Sequence, residues 1–306
     1  MTETNNEQEG VGLPQSGRRI KPLNDFAFQK GMGEIGDEVQ LLSHLSAILE
    51  RTDKGNLQSV EIIEKKDLAA DVVGGKYGKL DVLAKLANGA RVNIEVQIKN
   101  EYNIEKRTLY YWGSQYRNGF VTGQHYEELL PVITINIIEF SYFDIEDFHT
   151  SYHLWEDRNK DKMLSDVCEI HFLDMIKFRK LRRDSLKKLK EGQSPTFSLD
   201  DPLHRWLAYF DDTSSSKLIE EVLGMDSAIQ AFQSKLDLIE RDPDMLRTYE
   251  QFAKAASDYT TGMAGAERKG ERRKALEAAR NGKAIGVPIE QIAKMTGLTI
   301  EEVWNL

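Results

Sequence analysis

The stretch Lys79–Lys99, KLDVLAKLANGARVNIEVQIK, decides the fold. Two runs of alternating apolar and polar residues predict two β-strands, and the Asn-Gly pair between them is typical of a tight hairpin turn. The second strand has an apolar face and a polar face. The polar positions are Arg91, Asn93, Glu95, Gln97 and Lys99. Because strand side chains alternate between the two faces, Glu95 and Gln97 lie side by side.

The length of the hairpin loop decides whether Asp81 joins these residues. A two-residue loop pairs positions whose numbers sum to 177, which puts Asp81 opposite Val96 on the apolar side. A loop with an odd number of residues, or a bulge, gives a sum of 176 or 178 and puts Asp81 opposite Glu95 or Gln97. We predict the odd loop or a bulge, because the even register would place polar residues of one strand beside apolar residues of the other. The expected cluster is Asp81, Glu95 and Gln97, with Lys85 nearby.

Two carboxylates on adjacent strands form a set of hard oxygen ligands, which suits Mg²⁺ or Mn²⁺ better than zinc. A cation held there polarises a phosphate oxygen and lowers the pKa of a bound water. The same residues also fit an ordinary polar sheet face, with Asp81 and Glu95 paired to Lys85 or Arg91. Spacing alone leaves both interpretations open.

Length and composition limit the class of protein. The 306 residues, 40% of them hydrophobic, are enough for one large domain or two ordinary ones and exclude a fibrous or wholly disordered chain. The apolar runs are too short and too polar for a membrane span. The first residues lack the pattern of a secretory signal, so we expect a cytoplasmic protein. A single cysteine, Cys168, excludes a disulfide framework and a multi-cysteine zinc site.

The pattern along the chain indicates an α/β core with a mixed central sheet flanked by helices, followed by a mostly helical C-terminal region. Residues 1–20 have the composition of a disordered tail. The core is expected over residues 21–180 and the helical region over residues 181–262. A charged helix and a short end that resembles a helix-turn-helix follow over residues 263–306. That end has no arginine or lysine in its second helix, so we expect packing or oligomerisation rather than DNA reading.

Five motifs occur in order along the chain: LNDFAFQKGMG (Leu23–Gly33), KLDVLAKL (Lys79–Leu86), NIEVQ (Asn93–Gln97), RTLYYWGSQY (Arg107–Tyr116) and LLPVITINII (Leu129–Ile138). A further stretch, IEQIAKMTGLTIEEV (Ile289–Val303), follows near the C-terminus. In their order and spacing, the five motifs resemble those of the Rpn family of recombination-promoting nucleases, which are transposase-like members of the PD-(D/E)XK superfamily. The last stretch resembles the ending of many members.

The resemblance implies a restriction-endonuclease-like core and a Mg²⁺- or Mn²⁺-dependent DNA endonuclease of low sequence specificity. It implies that Asp81, Glu95 and the backbone carbonyl of Val96 hold the cation. Gln97 stands where the broader superfamily has lysine. Glutamine does not take up a proton at neutral pH, so it can orient a water or hold a phosphate oxygen, and another group must accept the proton. The glutamine also leaves open a catalytically inactive DNA-binding or assembly protein on the same fold.

Residues around the predicted site carry further expectations. Asp25 fits a helix cap or a supporting role better than a direct metal ligand. Arg107 and Tyr111 lie one helical turn apart, so Arg107 can hold a phosphate and a tyrosine can stack on a base. The alternative is that Tyr110, Trp112 and Tyr116 are ordinary helix packing.

The formal net charge is -9, yet the basic residues are clustered. The segment Lys177–Lys190 holds eight basic residues and one acid, and either tracks a DNA backbone or forms a solvated helix face. The DNA-contacting residues expected on it are Lys177, Arg179, Lys180, Arg182 and Arg183. The helical C-terminal half is a candidate for dimerisation or self-inhibition, and we expect a homo-oligomer, with a dimer favoured. A role in recombination, phage defence or element mobility is left open.

Overall fold

The computed structural model describes residues 19–63, 82–120 and 123–306. Their strands form a six-stranded sheet in the order β1-β2-β3-β4-β6-β5. The first three strands are antiparallel, β3, β4 and β6 are parallel, and β5 is antiparallel to β6 at the edge. The strands are β1 (Val60–Ile62), β2 (Val82–Leu86), β3 (Arg91–Gln97), β4 (Val132–Ile138), β5 (His149–Trp155) and β6 (Met163–Asp174).

The described residues also form ten α-helices, most of them after the last strand, as the sequence predicts. The helices are α1 (Asp25–Met32), α2 (Glu38–Leu49), α3 (Ile104–Asn118), α4 (Met175–Lys190), α5 (Pro202–Phe210), α6 (Ser216–Met225), α7 (Ser227–Arg241), α8 (Pro243–Ala284), α9 (Ile289–Thr296) and α10 (Ile300–Trp304).

The hairpin between β2 and β3 has the predicted odd register. Val82 pairs with Ile94, so the numbers of paired residues sum to 176. The loop holds three residues, because the amide of Leu86 donates to the carbonyl of Ala90 at 2.9 Å. Gly89, its last residue, has a φ of 86°, the left-handed conformation that a three-residue hairpin loop requires. The prediction that the polar and apolar faces of β3 stay separate is confirmed.

The sheet lies between two helical layers. On one face, alternate residues of β3 and β4, such as Ile94 and Ile135, join a continuous apolar core with helices α1, α2, α5 and α7. On the other face, a smaller apolar cluster that includes Ile104 and Phe172 packs beneath α3. Because helices cover both faces of the sheet, β4, with the sequence VITINII, is buried along its whole length.

Helices α1 and α2 are separated near Gly31–Gly36, a segment with three glycines. The first helix begins after Asn24, whose side chain accepts hydrogen bonds from the amides of Phe26 and Ala27 at 3.1 and 3.3 Å. Gly31 lies against Phe232 of α7, where a Cβ atom would come within 2.4 Å of the ring. The glycine therefore permits the close contact between α1 and α7.

Contacts divide the chain into two units, Met1–Phe252 and Ala253–Leu306. The expected boundary after residue 180 falls inside α4. The apolar core continues from α1 to α7, so the first helices of the C-terminal region belong to the first unit. The expected boundary after residue 262 falls inside α8. Most of the predicted tail lies outside the described residues, but Ile20 is buried and Arg19 donates to the carbonyl of Tyr209. The folded core, which we expected to begin at residue 21, therefore also includes Arg19 and Ile20.

The second unit has its own small core of Ala279, Ile292, Leu298 and Val303. A capping box begins α10, with the Thr299 and Glu302 side chains each bonded to the other's backbone amide. Within the described residues, no helix is long and apolar enough to cross a membrane.

Candidate active site

Glu95 lies near the middle of β3, a strand with neighbours on both sides, and only 2% of it is exposed. It shares its face of the sheet with Asn93 and Gln97, because the apolar residues between them point into the core on the other face. Across the pairing with β4, Asn93 lies opposite Thr134 and Glu95 lies opposite Asn136. A row of buried polar side chains therefore crosses the centre of the sheet around one carboxylate.

Part of this row is unsatisfied. Within the described residues, neither polar atom of the Asn93 side chain nor the hydroxyl of Thr134 has a hydrogen-bond partner, although both residues are fully buried. Most buried polar groups in proteins are hydrogen-bonded, so such groups are often sites where a water or a ligand completes the bonding. The oxygen atoms of Asn93, Glu95 and Gln97 line one side of β3 and are of the type that Mg²⁺ and Mn²⁺ prefer.

Helix α3 covers this polar row and fixes it. The hydroxyl of Thr108 donates to Oδ1 of Asn136 at 2.9 Å, and Nδ2 of Asn136 donates to the carbonyl of His171 at 3.2 Å. At the other end of the helix, Gly119 lies near the side chain of Arg91. The helix therefore runs antiparallel to β3, and its first turns lie over the end of the strand that carries Glu95.

Arg107 of α3 brings a positive charge to the buried carboxylate. Its guanidinium lies 3.7 Å from Oε2 of Glu95 and 4.0 Å from the carboxylate of Glu101 in the preceding loop. The guanidinium also lies 5.5 Å from the centre of the Tyr111 ring, a cation–π distance. The structure thus joins Arg107 and Tyr111 to Glu95, three residues that the sequence analysis had placed in the same site.

Of the other proposed metal and catalytic residues, Val96 and Gln97 lie on β3. Asp81 lies outside the described residues; in the sequence it immediately precedes Val82, the first residue of β2. Gln97 is half-buried on the same face as Glu95, and its carbonyl accepts from the amide of Glu139 at 3.0 Å. The side chain of Val96 is buried in the opposite core, which leaves only its backbone for the proposed role.

Two expectations about neighbouring residues are wrong. Lys85 pairs with Arg91, four residues from Glu95, so it lies about 13 Å along the strand from the carboxylate rather than beside it. Lys85 comes two residues before the hairpin loop, so it lies at the end of the hairpin away from Glu95. The cap of α1 is Asn24 rather than Asp25, since the Asn24 side chain accepts the helix amides and Asp25 is an exposed residue of the first turn. The supporting role of Asp25, the other alternative, stays a prediction.

The aromatic residues of α3 divide into two groups. Trp112 and Tyr116 stack with ring centres 5.2 Å apart, and the indole of Trp112 donates to the carbonyl of Val167 at 3.4 Å, which is the predicted packing role. Tyr110 is 65% exposed and contacts Tyr111 edge-on, so the prediction that it packs in a core is wrong. The helical spacing could not show which face of α3 the sheet covers.

Three of the five basic residues of α4 that were expected to contact DNA are instead held by other groups of the protein. Arg179 donates to both Glu139 and Asp211 at 2.8 Å, and Arg182 lies 2.7 Å from Asp211. Burial alone would lower the pKa of Arg179, but its hydrogen bonds to the two acids outweigh that effect and raise it. Lys177 donates to the carbonyl of Phe143 at 2.7 Å. Of the five residues expected to contact DNA, Lys180 and Arg183 are the exposed ones.

A second buried acid, which the sequence analysis missed, lies on the opposite face of the sheet. Glu169 of β6 accepts hydrogen bonds from Thr52, Lys54 and His171 at 2.6–2.8 Å. Burial would raise the pKa of Glu169, but these hydrogen bonds outweigh burial and hold it well below its usual range. The ring of His171 is also bonded to that of His149 at 2.9 Å, and burial lowers the pKa of His149 to about 3. The saturated bonding is typical of a structural network that joins β5 and β6 to the loop after α2.

Alternation in the sequence could have revealed this network. Glu169 and His171 are two residues apart in a strand, and His149 and His153 share a face of β5. Strand β5 itself was not predicted, because its sequence HTSYHLW lacks an apolar alternation. Among the described residues, no group of three or more His, Cys, Asp or Glu is arranged to hold a metal ion.

A mixed sheet between helices, with a buried glutamate and an acid-x-glutamine triplet on a central strand, defines an α/β fold of the PD-(D/E)XK type. The family model for the PD-(D/E)XK nuclease family transposase matches residues 22–266, and the chain belongs to that family. No curated protein matches the chain. No solved structure matches it either.

Proposed function

We propose that this protein is a metal-dependent endonuclease that hydrolyses phosphodiester bonds of DNA with low sequence specificity. The observation that carries the proposal is the buried carboxylate of Glu95, set on a central strand of a nuclease-family core and contacted by Arg107. A buried acid beside a guanidinium and orphaned polar groups is unusual unless a ligand uses it. Recombination, element mobility and phage defence are all tasks that this activity would serve.

The cation would be held by oxygen atoms from both strands of the hairpin. We assign Glu95 and the backbone carbonyl of Val96 on β3, together with Asp81 at the start of the neighbouring strand. The register that pairs Val82 with Ile94 is the one from which the sequence analysis placed Asp81 opposite Glu95. A bound Mg²⁺ or Mn²⁺ supplies positive charge to the scissile phosphate and lowers the pKa of a bound water.

The remaining residues position the substrate and its water. Gln97, on the same face as Glu95, donates to a phosphate oxygen or orients the attacking water, but it does not act as a base at neutral pH. Arg107 lies 3.7 Å from Glu95, beyond hydrogen-bond distance, so its guanidinium can turn to a phosphate without breaking a fixed bond. Lys180 and Arg183 of α4 contact the DNA backbone in this proposal. Contacts to phosphate carry no sequence information and weaken with salt.

The proposal is tested by cleavage of supercoiled plasmid with Mg²⁺, with Mn²⁺ and with chelator. The variants are Glu95→Gln and Asp81→Ala, and the matched control is Glu61→Gln, an exposed acid on β1. We expect metal-dependent cleavage by the wild type and the control. A loss of at least about 100-fold is expected in both site variants, because several kcal/mol of charge stabilisation depends on the carboxylates.

Two results would overturn the proposal. Wild-type rates in the Glu95→Gln variant would place the chemistry elsewhere or indicate a contaminating nuclease. No cleavage by the wild type in either metal, with DNA still bound, would favour the inactive DNA-binding or assembly protein. Gln97 at the usual lysine position is the observation that supports this second candidate.

Dimerisation through the C-terminal unit is a further part of the proposal. Light scattering of the full chain and of a chain that ends at residue 265 tests it. Loss of the dimer on truncation is expected, and an unchanged mass per particle would contradict it.

A further inference from the structure

Two strongly exposed tyrosines flank the candidate active site. Tyr102 is 72% exposed in the loop that leads from β3 to α3, and Tyr110 is 65% exposed on α3 itself. The first follows Gln97 by five residues, and the second follows Arg107 by three. The loop that carries Tyr102 therefore begins at the strand of Glu95, and Tyr110 lies on the same helix as Arg107. Each tyrosine exposes its ring to solvent.

The backbone of Tyr102 is held in an unfavourable conformation. Its φ is 55°, in the left-handed region that bulky residues rarely adopt, and Oδ1 of Asn100 accepts from its amide at 2.9 Å. A glycine would occupy this position without strain. Strained residues of this kind cluster at binding sites, where the side chain is needed in one place.

Arg107 contacts Glu95, the sequence neighbour of Tyr102 and the ring next to Tyr110. Glu101, the neighbour of Tyr102, lies 4.0 Å from the Arg107 guanidinium, which in turn lies 3.7 Å from Glu95. The ring of Tyr110 lies 5.9 Å from that of Tyr111, the ring that the same guanidinium approaches. Arg107 is thus the common neighbour of the carboxylate and of both aromatic segments.

The outer face of α3 continues this arrangement. Lys106 and Arg117 are exposed and lie four residues before and seven residues after Tyr110, so all three residues share one face of the helix. A stripe of positive charges around exposed aromatic rings is the combination that binds single-stranded nucleic acid. The cations follow the phosphates, and the rings stack on the bases.

We propose that Tyr102 and Tyr110 stack on the bases of an unpaired DNA strand, and that the site therefore takes single-stranded DNA or locally opened duplex. This inference rests on the proposed nuclease function, since it names the substrate of the same site. In an intact duplex each base is covered by its neighbours, so the tyrosine rings find no free base face. Stacking is tolerant of sequence, which agrees with the low specificity proposed above.

The test measures binding without cleavage. Fluorescence anisotropy in EDTA compares the full-length protein on a labelled 20-nucleotide thymidine strand, on the same strand made abasic, and on the matching duplex. The variants are Tyr102→Ala, Tyr110→Ala and the corresponding phenylalanine substitutions. The control is Tyr126→Ala. Tyr126 is 80% exposed and comes shortly before β4, and the start of β4 pairs with the start of β3, away from the end of β3 that leads to Tyr102.

We expect each alanine variant to weaken binding of the thymidine strand by about 5- to 100-fold, the range measured for base–aromatic stacking. The phenylalanine variants and Tyr126→Ala should stay within twofold of the wild type, and duplex binding should change little. The abasic strand should bind equally to all variants. The same variants should cleave single-stranded DNA more slowly in Mg²⁺.

Several results would overturn the inference. These are equal binding of the thymidine strand by wild type and alanine variants, an equal loss with Tyr126→Ala, or a wild type that prefers duplex. The two proposals fail in different experiments. If the nuclease proposal is wrong, the plasmid is not cleaved, whereas the binding comparison in EDTA does not require any cleavage.

Discussion

Acidification should destabilise this protein through His44. This residue of α2 is fully buried, and its ring packs edge-on against Trp206 and Phe210 at 5.1 and 5.2 Å. Within the described part of the chain, neither ring nitrogen has a hydrogen-bond partner. Burial lowers the pKa of His44 to about 3, from an ordinary value of 6.5, because the charged ring would lose its hydration among aromatic side chains.

The sign and size of the effect follow from proton linkage. Between pH 6.5 and about 3 the unfolded chain binds a proton at this residue and the folded chain does not, so stability falls as pH falls. Each pH unit in that window costs about 1.4 kcal/mol. The unfolded state is about 97% protonated at pH 5, so the loss from His44 between pH 7 and pH 5 is about 2 kcal/mol.

The assay is urea unfolding at pH 7 and pH 5, followed by tryptophan fluorescence. Three tryptophans, Trp112, Trp155 and Trp206, lie in the unit that contains His44. The variant His44→Phe keeps an aromatic ring and removes the titration, and the exposed His125→Gln is the control. Whatever the variant does to stability at pH 7, it should lose about 2 kcal/mol less than wild type on acidification. An identical pH dependence in the two proteins would refute the reasoning, since it would mean that the folded chain protonates His44 as readily as the unfolded chain does.

Further predictions concern stability, each measured by the same urea titration. Tyr102→Gly should stabilise the protein by about 0.5–1 kcal/mol, because relief of the left-handed strain exceeds the added chain entropy, while Tyr102→Ala should gain nothing comparable. Gly31→Ala should cost about 1–3 kcal/mol, because its Cβ would overlap Phe232, and a neutral result would contradict the tight contact of α1 with α7. Asn24→Ala should cost about 1 kcal/mol through loss of the helix cap, with Asn24→Asp as the tolerated control. Glu169→Gln should lower the free energy of unfolding by about 1.5–3 kcal/mol or more, since about 1.5–3 kcal/mol is the range for one hydrogen bond to a charged group. An unchanged free energy of unfolding would show that the network is not structural.

The central hairpin could be predicted from sequence because its information is local. Alternation fixes the two faces of β3, and only an odd loop keeps Glu95 and Gln97 away from the apolar face, so an odd register is expected. The structure selects the sum of 176 from the two odd registers that the sequence left open. The helix break after Met32 and the capping box at Thr299 are equally local. These features depend on residues within a few positions of one another.

The features that sequence reasoning missed depend on distant partners. The acids that bind Arg179 lie 40 residues before it and 32 residues after it, so a basic run that looks free in the sequence is partly paired in the fold. Strand β5 is an edge strand with irregular register, and its polar sequence gives no apolar alternation. Tyr110 faces solvent because the sheet covers the other side of α3, which no helical periodicity of that aromatic-rich segment specifies.

A comparison of two buried acids of the sheet, Glu95 and Glu169, shows why the chemistry is assigned to Glu95. Glu169 receives three hydrogen bonds of 2.6–2.8 Å from fixed neighbours, so a cation or phosphate would first have to break a complete set of bonds. Glu95 is equally buried, and one of its neighbours is the guanidinium of Arg107 at 3.7 Å, an ionic contact longer than a hydrogen bond. The Arg107 side chain is one-third exposed, so it lies beside the acid and can still turn to a substrate. An accessible cation beside the acid, together with the unsatisfied Asn93 and Thr134 on the same face, is the better preparation for a ligand that arrives with its own charges.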